Sequence, residues 1–342
     1  MQKVTLKIIA EKLKISVATV SKALKNYPDV NNETRLKVLN LAKALNYKPN
    51  SFAQSLRNQE SRVIGLIIPE IVHHFFSNII NGVINTAEKE GYLVIVLKSD
   101  ESNIHEKELL EVLVRKNVDG ILLSLSGDTI RFNHIKEIIN QGTPIVLYDR
   151  ISRSINCSKV IIDDVKAAFN ATEYLIKTGC KKIAHLSGVL KPQTTIDRLK
   201  GYRRALEKHD IIYDKSLVYV SENLSYEDGY TLASKMTSDH PDLDGVFALT
   251  DLLATGVLAR FKEMKIDVPN KISIMGFSNW FLTQITSPKL STINQPGYEM
   301  GEKAFKLLLE NIKQLKEGGK SEPQIIELPT HIIARGSTKG FY

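Results

Sequence analysis

The stretch "VTLKIIAEKLKISVATVSKALKN", residues 4–26, decides how the first sixty residues fold. Thr5 can cap a helix over 6–13 whose inner face is Leu6, Ile9, Ala10 and Leu13. Lys14 and Ile15 leave room only for a tight turn. Ser16 then caps a second helix that buries Val20, Ala23 and Leu24. Its other face is unusual for a solvated helix: Val17, Ala18 and Ser21 are small, and Lys22 and Lys25 are its charges, with no carboxylate. After a loop at 26–30 containing Pro28, Asn31 or Asn32 caps a third helix through about Leu45, with Leu36, Leu39, Ala42 and Leu45 expected inward. Three short helices with a tight turn between the first two make a helix-turn-helix module. The second helix of such a module enters the DNA major groove.

The residue types fit that groove. Small side chains let a helix sit deep in a channel about 12 Å wide. Thr19, Ser21 and the amides of the first turn can donate to phosphate oxygens. Lys22 can reach guanine acceptors, and Val17 or Ala18 can touch a thymine methyl. Thr5, Ser16 and Lys25 complete the set expected at DNA. Charge placement agrees: residues 1–60 hold 11 Lys and Arg against 4 Asp and Glu, whereas the remaining 282 residues are nearly neutral. A basic head on a neutral body points to a polyanionic partner for the head.

Pro49 ends any preceding helix, and Asn50 can begin a new one. "SFAQSLR", 51–57, is too short to be a stable helix in water. Its polar composition with Phe52 and Leu56 fits both a minor-groove wedge and a plain linker.

The body alternates apolar runs with helical patterns. Candidate strands are 63–69, 92–98, 120–125, 144–149, 159–164, 182–188, 216–220, 245–250 and 271–277. Such alternation means parallel sheets with helices on both faces, and ligands bind beyond the carboxyl ends of their strands. A body of 282 residues exceeds one comfortable core, so two lobes are expected. The segments after the strand ends supply the pocket candidates: His74, Phe75 and Phe76; Asp149 and Arg150; Thr250 and Asp251; Ser278 and Asn279. Each Phe could equally belong to the lobe core, and Thr250–Asp251 could equally cap a helix.

The segments "VTLKIIAEKLKISVATVSKALKN" (4–26), "VNNETRLKVLNLAKALNYKPNSFAQSLR" (30–57) and "VIGLIIP" (63–69) resemble the lactose-repressor/galactose-repressor family over nearly the whole chain. The resemblance implies an all-α helix-turn-helix head and an α/β body of two doubly wound parallel-sheet lobes of periplasmic-binding-protein type. It implies that Val17, Ala18, Ser21 and Lys22 read bases and phosphates, and that Asn50, Ala53 and Leu56 form a hinge helix with Leu56 as minor-groove lever. It places a ligand-binding arginine at Arg198. The implied domains are a head at 1–48, a hinge at 49–61 and an effector-binding and dimerisation body at 62–342. The N-lobe is expected over about 62–158 and 293–322, the C-lobe over about 159–292 and 323–342, with crossovers near 156–161, 290–294 and 321–326. Three departures stand out: Lys14 where the family turn has Gly, Lys22 where Arg is common, and Ser278 where many members have Asp.

Other classes lack their chemistry. There is no phosphate loop, no GxGxxG after the first strand and no G-x-S-x-G elbow. His73–His74 lacks zinc spacing, and Asp163–Asp164 is explained by helix capping. No catalytic set, metal or cofactor is expected. No run of about 18 apolar residues suggests a membrane span. The first residues show no apolar core before a small-residue cleavage site, so no secretory leader is expected, and a solute-binding transport protein is the less expected reading. The isolated Cys157 and Cys180 suit a reducing cytoplasm. The tail lacks tetramer-forming leucine heptads, so a homodimer is expected. The reading is a ligand-responsive regulator that binds a pseudo-palindromic double-stranded operator and a sugar-like small-molecule effector.

Overall fold

The computed structural model describes residues 4–47, 60–71, 74–319 and 322–340. The chain divides into two compact units, 1–61 and 62–342.

The first unit holds α1 (Leu6–Leu13), α2 (Val17–Leu24) and α3 (Asn32–Ala44). Its core is Ile9, Ala10, Val20, Ala23, Val30, Val38 and Ala42. Lys14 ends α1 in the left-handed region, at φ 52° and ψ 41°. That conformation costs a residue with a Cβ roughly 1–2 kcal/mol. Asn31 is the residue that caps α3, accepting from the Glu33 N–H at 2.8 Å. The face of α3 differs from expectation. Leu36 and Leu39 are 60% and 42% exposed, while Val38 and Ala42 are buried. Two apolar stripes run along this helix, and packing against α1 and α2 selects the one through Val38.

The second unit contains two six-stranded sheets. In the first, strand order is β11 (Ile325–Leu328), β5 (Lys159–Ile162), β4 (Ile145–Tyr148), β3 (Gly120–Leu123), β1 (Val63–Ile68), β2 (Leu93–Lys98), all parallel. Side chains alternate across it, as the pleat requires. Ile64, Leu66 and Ile68 face one layer, and Ile67 faces the other with Ile121 and Leu123. Helices α4 (His74–Lys89) and α12 (Gly297–Lys316) pack together on the first face. Helices α5 (Asn103–Arg115) and α6 (Asn133–Asn140) supply the second.

The second sheet runs β7 (Val218–Ser221), β6 (Ile183–Gly188), β8 (Gly245–Ala248), β9 (Ser273–Ser278), β10 (Ser291–Asn294), β12 (His331–Ile333). Only its β10–β12 pair is antiparallel. The pairs α7 (Asp164–Lys177) with α8 (Gln193–Lys208), and α9 (Tyr226–Asp239) with α10 (Asp251–Glu263), flank it. The four-residue α11 (Leu282–Ile285) follows β9.

The lobe boundaries move from those expected. β5 pairs with β4, Leu147 opposite Lys159, so it closes the first lobe instead of opening the second. β11 likewise joins the first sheet, through Ile325 opposite Lys159, and β10 joins the second. The crossovers therefore fall at 163, 295–296 and 329–330, not at 156–161, 290–294 and 321–326. A short, mostly apolar strand such as "KVII" carries no mark of which sheet it joins. No helix among the described residues is long and apolar enough to cross a membrane.

Candidate functional site

On the head, the Ser16 hydroxyl accepts from the Thr19 N–H at 3.0 Å, and the two hydroxyls lie 2.8 Å apart. Thr5 stands at the N-cap of α1, but its hydroxyl makes no capping hydrogen bond. Its backbone carbonyl instead accepts from the Ile8 and Ile9 N–H groups, so the expected side-chain cap is corrected. Val17, Ala18, Lys22 and Lys25 are exposed along α2, while Thr19 and Ser21 are half-buried. The Lys22 ammonium pairs with the Asp29 carboxylate from the following loop. Arg35 of α3 pins that loop, donating from Nη2 to the carbonyls of Tyr27 (2.7 Å) and Val30 (3.0 Å). Asn50, Ala53 and Leu56 lie outside the described residues.

In the body, a cleft of about 410 Å³ opens at the carboxyl ends of the strands of both sheets. His74, Phe75, Phe76, Asp149 and Arg150 line it from the first lobe. Arg198, Thr250, Asp251 and Ser278 line it from the second. Phe75 and Phe76 serve both roles, being buried in the lobe core as well as forming its wall.

The helix packing that places Arg198 has a local cause. A methyl on Gly201 would sit 2.3 Å from the Val165 carbonyl oxygen, so only glycine lets α8 lie this close to α7. Arg198 Nε then donates to Asp164 Oδ1 at 2.7 Å, and its Nη1 to the Leu249 carbonyl at 2.9 Å. The guanidinium lies 3.6 Å above the Phe277 ring. Burial pushes the Asp164 carboxyl up to about 7, against the pull of Arg198. Capping therefore explains only half of Asp163–Asp164: Asp163 accepts from the Lys166 N–H, while Asp164 turns inward to Arg198.

A second relay crosses the cleft. Gln295, in the second crossover, donates from Nε2 to Asp149 Oδ1 at 3.2 Å. Its Oε1 accepts from the Ser278 hydroxyl at 3.1 Å. Asp149 and Ser278 both have positive φ, 55° and 111°. Non-glycine residues there cost on the order of 1–3 kcal/mol and persist where the surroundings over-determine them. Burial also raises the Asp149 carboxyl above the usual carboxylate range.

Thr250 caps α10, accepting from the Leu253 N–H at 3.3 Å. Asp251 lines the cleft and accepts one bond on each oxygen, from the Trp280 N–H (2.7 Å) and the Thr292 hydroxyl (2.6 Å). Burial pushes its carboxyl up to about 6. Gly276 makes room for it, since a methyl there would lie 2.2 Å from Asp251 Oδ1. Asn279 is not on the cleft wall, contrary to expectation. Its Nδ2 donates to Asn294 Oδ1, and its Oδ1 accepts from Arg335, so it braces the strand ends from behind. Trp280 takes the place beside Ser278, its ring near-parallel to His74 of the other lobe with centroids 6.3 Å apart.

Sequence reading missed Asp164, Gln295, Trp280 and Glu101. Gln295 follows a strand end and is open to the same rule that finds Asp149; the polar sequence of β10, "STIN", hides it.

A helix-turn-helix unit carried by a two-lobed body with an interlobe cleft defines a DNA-binding regulator of ligand-binding architecture. Residues 5–50 match the model of bacterial regulatory proteins of the lacI family, and residues 172–338 match that of the periplasmic binding protein-like domain. The chain is 34% identical over 335 residues to the transcriptional repressor CytR of Escherichia coli K12, covering 98% of this chain and 96% of that one. It therefore belongs to the lacI family of bacterial regulatory proteins. Among solved structures, the regulator CelR in complex with cellobiose superposes with a TM-score of 0.74 at 26% identity, over 98% of this chain and 99% of that one. The lac repressor dimer bound to operator and an anti-inducer shares the fold, with a TM-score of 0.86 at 23% identity over 99% and 100% of the two chains.

Proposed function

We propose that this chain is a repressor that binds a pseudo-palindromic operator as a homodimer in the cytoplasm and is controlled by a sugar-like effector in the interlobe cleft. The observation that carries the reading is the outward face of α2. It presents Val17, Ala18, Lys22 and Lys25 with no carboxylate of its own, on a chain whose body holds a lined cleft. Val17, Ala18 and Lys22 contact base edges, and Thr5, Ser16, Thr19, Ser21 and Lys25 contact the phosphate backbone. Asn50, Ala53 and Leu56 belong to a hinge that assembles in the minor groove, with Leu56 as wedge. In the cleft, Arg198, Asp149, Arg150, Thr250, Asp251 and Ser278 bond ligand hydroxyls. His74, Phe75 and Phe76 pack on its ring faces. Asn279 acts behind them by holding Arg335.

Effector binding closes the cleft and shifts the N-lobe pairing of the two chains, and the hinge helices then assemble on the minor groove or melt. That is a coupling free energy between two sites and acts in both directions. Support comes from the similarity to CytR, a transcriptional repressor, and to CelR, solved with cellobiose. An electrophoretic mobility assay on DNA upstream of the protein's own locus tests it. A salt-sensitive shift at low micromolar protein is expected. No shift, or one that every fragment gives equally, overturns the reading.

A further inference from the structure

The charge of the cleft narrows what can enter it. Among the described residues, six carboxylates line it: Glu70, Glu101, Asp128, Asp149, Glu222 and Asp251. Three cations do: Arg150, Lys191 and Arg198. Two of these are already committed. Arg150 Nη1 donates to both Glu101 oxygens, at 2.7 and 2.6 Å. Arg198 has Nε on Asp164, Nη1 on the Leu249 carbonyl and its face on Phe277, so it keeps a donor for a single hydroxyl but no open two-pronged fork for a phosphate. Lys191 is exposed on the loop before α8.

A phosphate is normally held by unspent guanidinium forks or by open helix N-termini. Four of the helices that follow strand ends carry their own side-chain caps: Ser102 on α5, Asp163 on α7, Ser225 on α9 and Thr250 on α10. α6, α8, α11 and α12 begin without one, and of these starts only that of α8 has a cleft-lining cation beside it, Lys191 next to Pro192. That corner is where an anion would have to be met.

Neutral partners are plentiful by contrast. Thr194, Thr195 and Asn223 offer hydroxyl and amide groups, Ser278 and Gln295 line the cleft while bonded to each other, and Trp280 and His74 offer ring faces. Hydroxyls bridge carboxylates and amides well, and apolar ring faces pack on aromatic walls. An added phosphate would sit among carboxylates in a site whose walls focus their field.

We infer that the effector is an uncharged polyhydroxylated ring compound, and that the cleft rejects the phosphorylated form of the same compound. This rests on the cleft being the effector site. Trp280 is the chain's one tryptophan and lines the cleft, so its fluorescence reads occupancy directly. The experiment titrates the full chain with ribose, glucose and cellobiose, and with ribose 5-phosphate and glucose 6-phosphate. At least one neutral sugar should change the emission saturably, with any phosphorylated counterpart weaker by roughly 30-fold or more. In a Glu101→Gln, Asp149→Asn variant the gap should shrink to within a few-fold.

A phosphosugar that binds as tightly as its neutral parent, or tighter, overturns the inference. Loss of that binding in Lys191→Ala would place the anion at the α8 corner. Silence from every neutral and phosphorylated sugar removes the sugar-effector reading, and the inference falls with it. Should the double variant fail to fold, the wild-type comparison still decides.

Discussion

Arg198 donates from Nε to Asp164 Oδ1 at 2.7 Å, and each side chain is 8% exposed. The two residues come from neighbouring helices of the second lobe, one turn from the glycine that lets those helices meet. A buried pair of this kind is weak evidence for stability, but breaking it is costly, because one charge stays behind unpaired. Asp164→Leu should therefore destabilise the body by about 3–5 kcal/mol. Asp164→Leu with Arg198→Met removes both charges and should recover most of that loss. Urea unfolding of the singles and the double closes the cycle. Costs that simply add would mean the two residues are not coupled.

Lys22 reaches from the recognition helix to Asp29. Any contact it makes with a base must exchange this carboxylate for DNA. Asp29→Asn should tighten operator binding several-fold, since the exchange disappears and one anion near the phosphates is lost. Lys22→Ala should lose affinity mainly at one base pair per half-site. Mobility shifts on singly substituted operators read both. A uniform loss across sequences would make Lys22 a phosphate contact.

Lys14 holds a left-handed backbone at the end of α1. Lys14→Gly should stabilise the head by roughly 1 kcal/mol, the steric cost of a Cβ there less the added flexibility of the unfolded chain. Amide hydrogen exchange within α1 and α2 should slow accordingly. Unchanged or faster exchange would show that the turn carries no such strain.

His185 is buried between the rings of Tyr202 and Phe247, at centroid distances of 5.1 and 4.9 Å. Its Nδ1 bonds the Phe247 carbonyl at 3.0 Å, and its Nε2 has no hydrogen-bond partner. Burial lowers its pKa to about 4 from 6.5. A group depressed on folding lends stability above its unfolded pKa and loses it as pH falls through the folded one. The body should thus lose up to about 3 kcal/mol between pH 6.5 and 4 from this residue alone. His185→Phe should flatten the fall in thermal midpoint over that window. An identical pH profile for parent and variant would remove His185 as the cause.

The parts of the fold legible in the sequence are those that local patterns dictate. Ser16, Pro28 and Asn31 punctuate the head, and nine apolar runs mark β1 to β9. What stayed hidden depends on partners distant in sequence. β10 reads "STIN", and its Ser291 and Thr292 are buried because Arg335, Ser337, Thr338 and Asp251 satisfy them. The sheet joined by β5 is decided by β4 and β11. In α3, Leu36 and Val38 lie on competing stripes, and periodicity cannot choose between them. The site divides the same way. Strand-end residues such as Asp149, Thr250 and Ser278 follow from the parallel-sheet rule, whereas Asp164 meets the cleft-lining Arg198 only because Gly201 admits α8 to α7.

The most direct test of a ligand-controlled reader is fluorescence anisotropy of a labelled operator fragment with the full chain, repeated with and without a sugar that perturbs Trp280. The account predicts a salt-dependent, sequence-specific affinity that the sugar shifts at least 5-fold in either direction, about 1 kcal/mol of coupling. Operator affinity identical with and without a sugar that demonstrably fills the cleft would contradict it.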